Sequence, residues 1–269
     1  MATDEEEVLA VGGVTDVVRL GATVRRPVRP FTATVQAYLR HLRERGFDAA
    51  PEALGVDDQG REVLSFVPGD VPVDPLPDDV TTDAVLLDLA RLVRRLHDAA
   101  EGWAPPPGAV FGSIPGTPDP PLEPLFEAPE LVSHQDYCPG NVVFRDGRPV
   151  AFIDFDLARP TTRVADLVNL LHWWAPLRDP VDRAPALADV DVVPRVLAAV
   201  EAYGLTAAQR AQVVPVAVRR ARNVVHAMRA AADVDPVFRR WWETGTAEEV
   251  VRTRDWLAAE APRLAEALA

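Results

Sequence analysis

VSHQDYCPGNVVFRDGRPVAFIDFD, residues 132–156, sets His134, Asp136, Asn141, Asp154 and Asp156 among short apolar segments. Asp146-Gly147 is a two-residue turn signal, because Gly tolerates φ > 0 and Asp bonds locally to the backbone. The flanking runs, Val142 to Phe144 and Val150 to Ile153, are rich in strand formers and predict a hairpin. Closing it pairs Arg145 with Arg148. Counting back sets Asn141 opposite Phe152 and diagonal to Asp154, at roughly 7–8 Å, a gap that one cation spans between two oxygen ligands. Asp136 enters from the preceding loop and overhangs the same open end. An amide oxygen and a carboxylate, with no thiolate or imidazole cluster, are hard ligands of the kind Mg²⁺ takes beside phosphate oxygens.

The spacing His-x-Asp-x-x-x-x-Asn at 134–141, followed by Ile-Asp-Phe-Asp at 153–156, resembles the signatures of the aminoglycoside phosphotransferase and choline kinase group, whose fold is protein-kinase-like. The resemblance implies an α+β, two-lobed fold with a small β-rich N-lobe, residues 1–69, and a mainly helical C-lobe, residues 70–269. It further implies Asp136 as the base that accepts the proton of a substrate hydroxyl, with His134 in the same catalytic motif and Asn141 and Asp154 as metal ligands. ATP or GTP and Mg²⁺ are the implied cofactors. An Asp that supports the catalytic loop through hydrogen bonds is also part of the family pattern, and Asp166 stands in its place.

Composition bounds the rest. The chain has 269 residues, 48% of them apolar, which is enough for a sizeable core. Its one cysteine, Cys138, excludes an internal disulfide framework and fits a reducing cytoplasm. The acidic start and the lack of a long apolar run predict neither signal peptide nor membrane span. A net charge of −13 argues against nucleic acid as a partner. All 28 basic residues are arginine.

That absence of lysine bears on the nucleotide. Upstream, Gly12-Gly13 lies between short strand signals and corresponds to the family's nucleotide loop, with Gly13 a candidate for close approach to phosphate. A basic residue on the third strand holds the α- and β-phosphates in the family, and here Arg26 or Arg25 stands at that place. Neighbouring strand residues point to opposite faces, so only one enters the cleft. Residues 32–45 have Val35, Tyr38, Leu39 and Leu42 at helical spacing. The positions at which a kinase helix places the glutamate partner of its lysine hold Val35 and Gln36, so the ion pair is expected to be missing on both sides. Strand signals on either side of Asp57-Asp58-Gln59-Gly60 lead to a hinge at Pro68-Gly69, with Phe66 and Val67 against the adenine base.

Downstream, helices are predicted from a cap at Thr81 or Thr82 to near His97, over 163–174, from the Thr206-x-x-Gln209 capping box through Met228, and over about 248–268, where Pro262 is expected to kink or divide the helix. His97 is assigned no chemistry. The Pro- and Gly-rich stretch 103–130 is a candidate wall of the acceptor pocket. The function expected is transfer of a γ-phosphoryl group to a hydroxyl of a small molecule, for which an acidic lobe favours a cationic, aminoglycoside-like acceptor. The alternative is a kinase-like binding or immunity protein without turnover.

Overall fold

The computed structural model describes residues 6–10, 17–73, 75–116 and 123–269. Gly12-Gly13, and with it the nucleotide-loop candidate Gly13, lies outside the described residues.

The first lobe is built on an antiparallel sheet. Its strands are β1 (Glu7–Ala10), β2 (Val17–Leu20), β3 (Thr23–Pro27), β4 (Ala53–Val56) and β5 (Arg61–Ser65), in the order β1-β2-β3-β5-β4. Helix α1 (Thr32–Glu44) crosses between β3 and β4. Its expected stripe, Val35, Tyr38, Leu39 and Leu42, is buried throughout. Each such side chain contributes about 1.5–3 kcal/mol when taken out of water. The N-cap of α1 is Phe31, and the hydroxyls of Thr32 and Thr34 accept from Arg29 N–H and Val110 N–H. The Tyr38 hydroxyl reaches the carbonyl of Val132 at 2.8 Å, tying the first lobe to the start of the 132–156 stretch.

The chain leaves the first lobe at Pro68–Asp70. Asp70 exchanges two backbone bonds with Phe144, at 2.7 and 2.8 Å. A side chain on Gly69 would collide with the Phe144 carbonyl, and φ there is +145°, so only glycine lets the segment lie this close.

The rest is mainly helical: α2 (Asp83–Ala100), α3 (Arg163–Trp174), α4 (Val192–Tyr203), α5 (Ala207–Val234), α6 (Pro236–Trp241) and α7 (Ala247–Leu268). Thr82 caps α2, Thr162 caps α3, and Thr206 with Gln209 forms the capping box of α5. Helix α7 runs unbroken past Pro262, where a division is expected from sequence. Two small antiparallel pairs lie among the helices. One joins β6 (Leu131–Ser133) to β9 (Arg159–Thr161), and the other joins β7 (Val142–Arg145) to β8 (Arg148–Phe152). One continuous apolar cluster runs from α1 through α2 to α3, α4, α5 and α7.

The β7–β8 hairpin closes with Arg145 opposite Arg148, as expected. Farther on its register slips: Phe144 faces Pro149, but Val143 faces Ala151 and Val142 faces Phe152. Pro149 has no N–H to give the ladder, and the bulge that follows takes up one residue. Asn141 therefore lies beside Ile153, whose N–H bonds its carbonyl at 3.0 Å, rather than opposite Phe152. The slip brings Asn141 next to the residue that precedes Asp154.

Candidate active site

The candidate catalytic loop follows β6 and hangs from α3. Asp166, in the first turn of α3, is fully buried. One of its carboxylate oxygens, Oδ2, receives His97 Nε2 at 2.6 Å, Ser133 Oγ at 2.7 Å and the Tyr137 hydroxyl. The other, Oδ1, receives Gln135 N at 3.0 Å and Gln135 Nε2 at 2.5 Å. Burial alone would push this carboxyl up. Hydrogen bonds from His97, Tyr137 and Ser133 outweigh it and hold Asp166 below the usual carboxylate range. One turn along, Asn169 accepts from Tyr137 N–H at 2.8 Å and donates to the Gln135 carbonyl at 2.9 Å. Gln135 has φ of 65°, a left-handed conformation that persists because its backbone and side chain are all held.

Asp136 comes next. Its backbone N–H reaches His134 Nδ1 at 3.2 Å, and His134 Nε2 bonds the Ile153 carbonyl at 2.8 Å. Only the tautomer with the proton on Nε2 satisfies both bonds, and the ring is fully buried, so both nitrogens of His134 are occupied within the loop. Asn141 Nδ2 donates to Asp136 Oδ2 at 2.9 Å and to its carbonyl at 3.1 Å, which leaves Asn141 Oδ1 to act as a ligand. Burial pushes the Asp136 carboxyl above its usual range, and the Asp154 carboxylate adds to this.

Asp154 stands at the end of β8 in the left-handed region, φ 60°, with its side chain half exposed. Facing it is Arg26. The β3–β5 register sets Arg26 directly opposite Glu62, with Nε to Oε2 at 2.5 Å. The same guanidinium reaches Asp154 Oδ1 at 3.2 Å and Asp156 Oδ1 at 2.7 Å. The Asp156 contact is an ion pair without hydrogen-bond alignment, so this buried oxygen keeps an unfilled bonding position. Burial, with the Asp154 carboxylate beside it, pushes Asp156 up to about 7. Three carboxylates thus share one guanidinium, and the excess of negative charge suits a cation. Among the described residues, no three His, Cys, Asp or Glu side chains form a self-sufficient metal cage. Asn141 Oδ1 and the exposed oxygens of Asp154 instead fit Mg²⁺ held by one or two protein groups and completed by phosphate oxygens.

The pair with a helix glutamate is absent, as expected, yet the strand cation is paired. The partner of the strand cation is Glu62, from β5 rather than from the helix, and Gln36 on α1 bonds that carboxylate at 3.2 Å and the Gly55 carbonyl at 2.8 Å. Glu62 shares a strand face with buried Leu64, two residues on. Arg25 points to the opposite face and pairs with Asp57 at 3.3 Å. Phe66 uses its N–H on the Ala22 carbonyl, and its ring lies under the Arg19 guanidinium at 4.0 Å. Val67 follows at the hinge, partly buried against the core. His97 is a member of the loop-holding network, with Nδ1 bonded to the Tyr203 hydroxyl at 2.6 Å. Asn169 was likewise missed, although its i+3 spacing from Asp166 sets both on one face of α3.

Residues 115–203, which include the candidate catalytic loop, the hairpin and α3, match the phosphotransferase enzyme family. Across nearly its whole length the chain is similar to the trifolitoxin immunity protein of Rhizobium leguminosarum bv. trifolii, at 31% identity over 95% of this chain and 98% of that one. Among solved structures, its fold is similar to a choline/ethanolamine kinase family protein from Mesorhizobium loti, at TM-score 0.63 and 17% identity, covering 99% of this chain and 92% of that one. The fold is also similar to amicoumacin kinase hAmiN in complex with AMP-PNP, Ca²⁺ and Ami. There the TM-score is 0.65 at 13% identity, covering 96% of this chain and 88% of that one. These likenesses carry the expected architecture, a protein-kinase-like fold with a small sheet lobe and a mostly helical remainder.

Proposed function

The chain belongs to the phosphotransferase enzyme family, and from that premise we propose that it moves the γ-phosphoryl group of ATP or GTP to a hydroxyl of a small molecule. The observation that carries this is the gathering of Asp136, Asn141, Asp154 and the inward Arg26 at one cleft. Asn141 Nδ2 occupies one oxygen of Asp136 and leaves the other to align the acceptor hydroxyl and take its proton. Burial makes that carboxylate a stronger base than an exposed one. His134 positions the loop. Mg²⁺, held by Asn141 and Asp154, supplies charge neutralisation for the phosphate oxygens. Arg26 serves in place of the usual lysine, its fork fixed by Glu62.

The test is Mg²⁺-dependent consumption of ATP and GTP across a panel of hydroxyl acceptors, beside Asp136→Asn. Loss of the base lowers turnover by about 10²–10⁴-fold while melting temperature and nucleotide affinity stay in place. Turnover that survives Asp136→Asn removes Asp136 from this role.

A second reading has its own support. The relative at 31% identity is an immunity protein, and Arg26 is in ion contact with both carboxylates of the Ile-Asp-Phe-Asp motif. In that reading the chain binds nucleotide or a toxic small molecule without transferring phosphate. Nucleotide binding with no turnover on any acceptor selects it.

A further inference from the structure

Helix α5 carries Ala217 and Ala221 one turn apart on the face that it turns to α3 and α7. Residues four apart share a helix face, and two methyls there leave a gap that larger side chains would close. The result is a cavity of about 40 Å³, with Val168, Leu177 and Leu257 among its walls. One water needs about 10–15 Å³, so the space takes about three or four non-hydrogen atoms. None of the cleft residues Arg26, Asp136, Asn141 or Asp154 lines it.

The polar part of the lining is incomplete. Thr253, on α7, is 5% exposed, and its hydroxyl is buried without a hydrogen-bond partner. Buried polar groups are ordinarily paired, so an orphan on a cavity wall points to an occupant. Glu249, one turn before Thr253, also lines the cavity; it is engaged by Arg178, and that pair cancels its own charge. Arg178 lies over the Trp173 ring at 5.0 Å, and the same ring meets that of His172, on the cavity wall, at 5.0 Å. Arg178 Nε and Trp173 Nε1 are likewise buried without a partner. Three of the seven such atoms among the described residues therefore belong to this lining or to side chains that touch it. Burial, with Arg220 and Arg178 nearby, holds His172 well below the usual histidine range and hence neutral. Arg220, in the α5 wall, is taken down to about 10 by burial and stays a cation at neutral pH. The lining thus combines one net positive charge, an unfilled hydroxyl and walls that are mostly apolar.

We infer that the cavity between α3, α5 and α7 binds a small monocarboxylate of about the size of acetate. Its methyl group lies against Ala217, Ala221 and Leu257, and its oxygens take the Thr253 hydroxyl and the charge of Arg220. Chloride has the charge without the apolar end, and acetamide has the shape without the charge. Water needs about three polar partners, and the alanine, valine and leucine walls offer it none. The same carboxylate is presented by the end of a longer acid that enters past Glu249, whose side chain is 33% exposed. This site stands apart from the proposed phosphotransfer and does not depend on it.

The experiment is calorimetric titration of the full chain with acetate at fixed ionic strength, against acetamide, chloride and methylammonium, with hexanoate as the longer acid. Thr253→Val removes the hydroxyl at nearly constant shape, and Ala221→Leu fills the gap; Arg148→Gln, on the exposed β7–β8 turn, is the control. Acetate should bind with a Kd of about 1 mM, within the ceiling for a ligand of four non-hydrogen atoms. It should bind at least about tenfold tighter than acetamide, chloride or methylammonium. Thr253→Val and Ala221→Leu should each weaken it about tenfold, and Arg148→Gln should leave it unchanged. Without ligand, Thr253→Val should keep or raise the melting temperature, because it deletes a hydroxyl that has no partner. That variant keeps the test decisive if Ala221→Leu fails to fold. Hexanoate tighter than acetate identifies the occupant as the end of a longer acid, and the opposite order a free small one. No binding of acetate, equal binding of acetamide, or binding that survives Thr253→Val overturns the inference. A melting temperature lowered by Thr253→Val with no acetate bound does so too, and assigns the hydroxyl to water.

Discussion

Two charge clusters meet at the cleft, and they are built in opposite ways. Around Asp166, one carboxylate receives hydrogen bonds from four side chains, those of His97, Ser133, Tyr137 and Gln135, and one backbone N–H. Around Arg26, one guanidinium is shared by Glu62, Asp154 and Asp156. The first cluster is complete once the chain has folded. The second carries excess negative charge, leaves an oxygen of Asp156 without an aligned bond, and is suited to completion by a ligand. The contrast separates the part of the site that holds geometry from the part proposed to receive nucleotide.

Asp166→Ala should have the largest effect on stability. It removes a buried acceptor and strands every donor around it, a loss of about 3–5 kcal/mol, read from the urea midpoint. The same carboxylate predicts a pH dependence. Its folded value is depressed, so its contribution is complete above the unfolded value near about pH 4 and is lost as pH falls through the folded value. Wild type should therefore lose stability more steeply than Asp166→Asn between about pH 5 and pH 3. Equal slopes would mean that Asp166 does not carry the charge of its cluster.

Arg26→Met comes next, at about 1–3 kcal/mol, smaller because Asp154 is half exposed and water compensates it. The variant should gain more melting temperature from Mg²⁺ than wild type does, since three carboxylates are then left without their cation. Equal gains in both proteins would show that the excess charge is not a cation site. A loss as large as that of Asp166→Ala would erase the difference between the clusters.

How far each cluster could be read from sequence follows the same line. Asp136, Asn141, Asp154 and Asp166 lie within one stretch of about thirty residues, where turn chemistry and spacing bring them together locally. Even there, the register was one residue off, because a bulge after Pro149 cannot be counted from strand propensity alone. The members contributed from afar were the ones missed. His97 reaches Asp166 across 69 positions, and Glu62 reaches Arg26 across 36. Both pairings depend on how α2 packs on α3 and on the register of β3 with β5, which local patterns do not encode. Arg26 could be offered only as one of two neighbours until the sheet showed which face carries Glu62.

The smallest effect comes from a swap that asks whether the origin of the carboxylate matters. Gln36→Glu alone places a fourth acid beside Arg26 and should lower stability by about 1 kcal/mol through like-charge repulsion. Glu62→Gln alone removes the best-aligned partner of Arg26 and should weaken nucleotide binding, because the guanidinium then leans on Asp154 and Asp156, the side on which metal and phosphate are proposed to enter. The double variant restores one acid and one amide around the guanidinium with their positions exchanged. Gln36 already lies 3.2 Å from the Glu62 carboxylate, so a glutamate on α1 starts within reach of the same guanidinium. Recovery of nucleotide affinity in the double variant would show that the cleft needs a second acid on Arg26 and is indifferent to whether helix or strand provides it. Failure to recover, with the fold intact, would mean that the direct cross-strand alignment of Glu62 with Arg26 is itself what aims the cation.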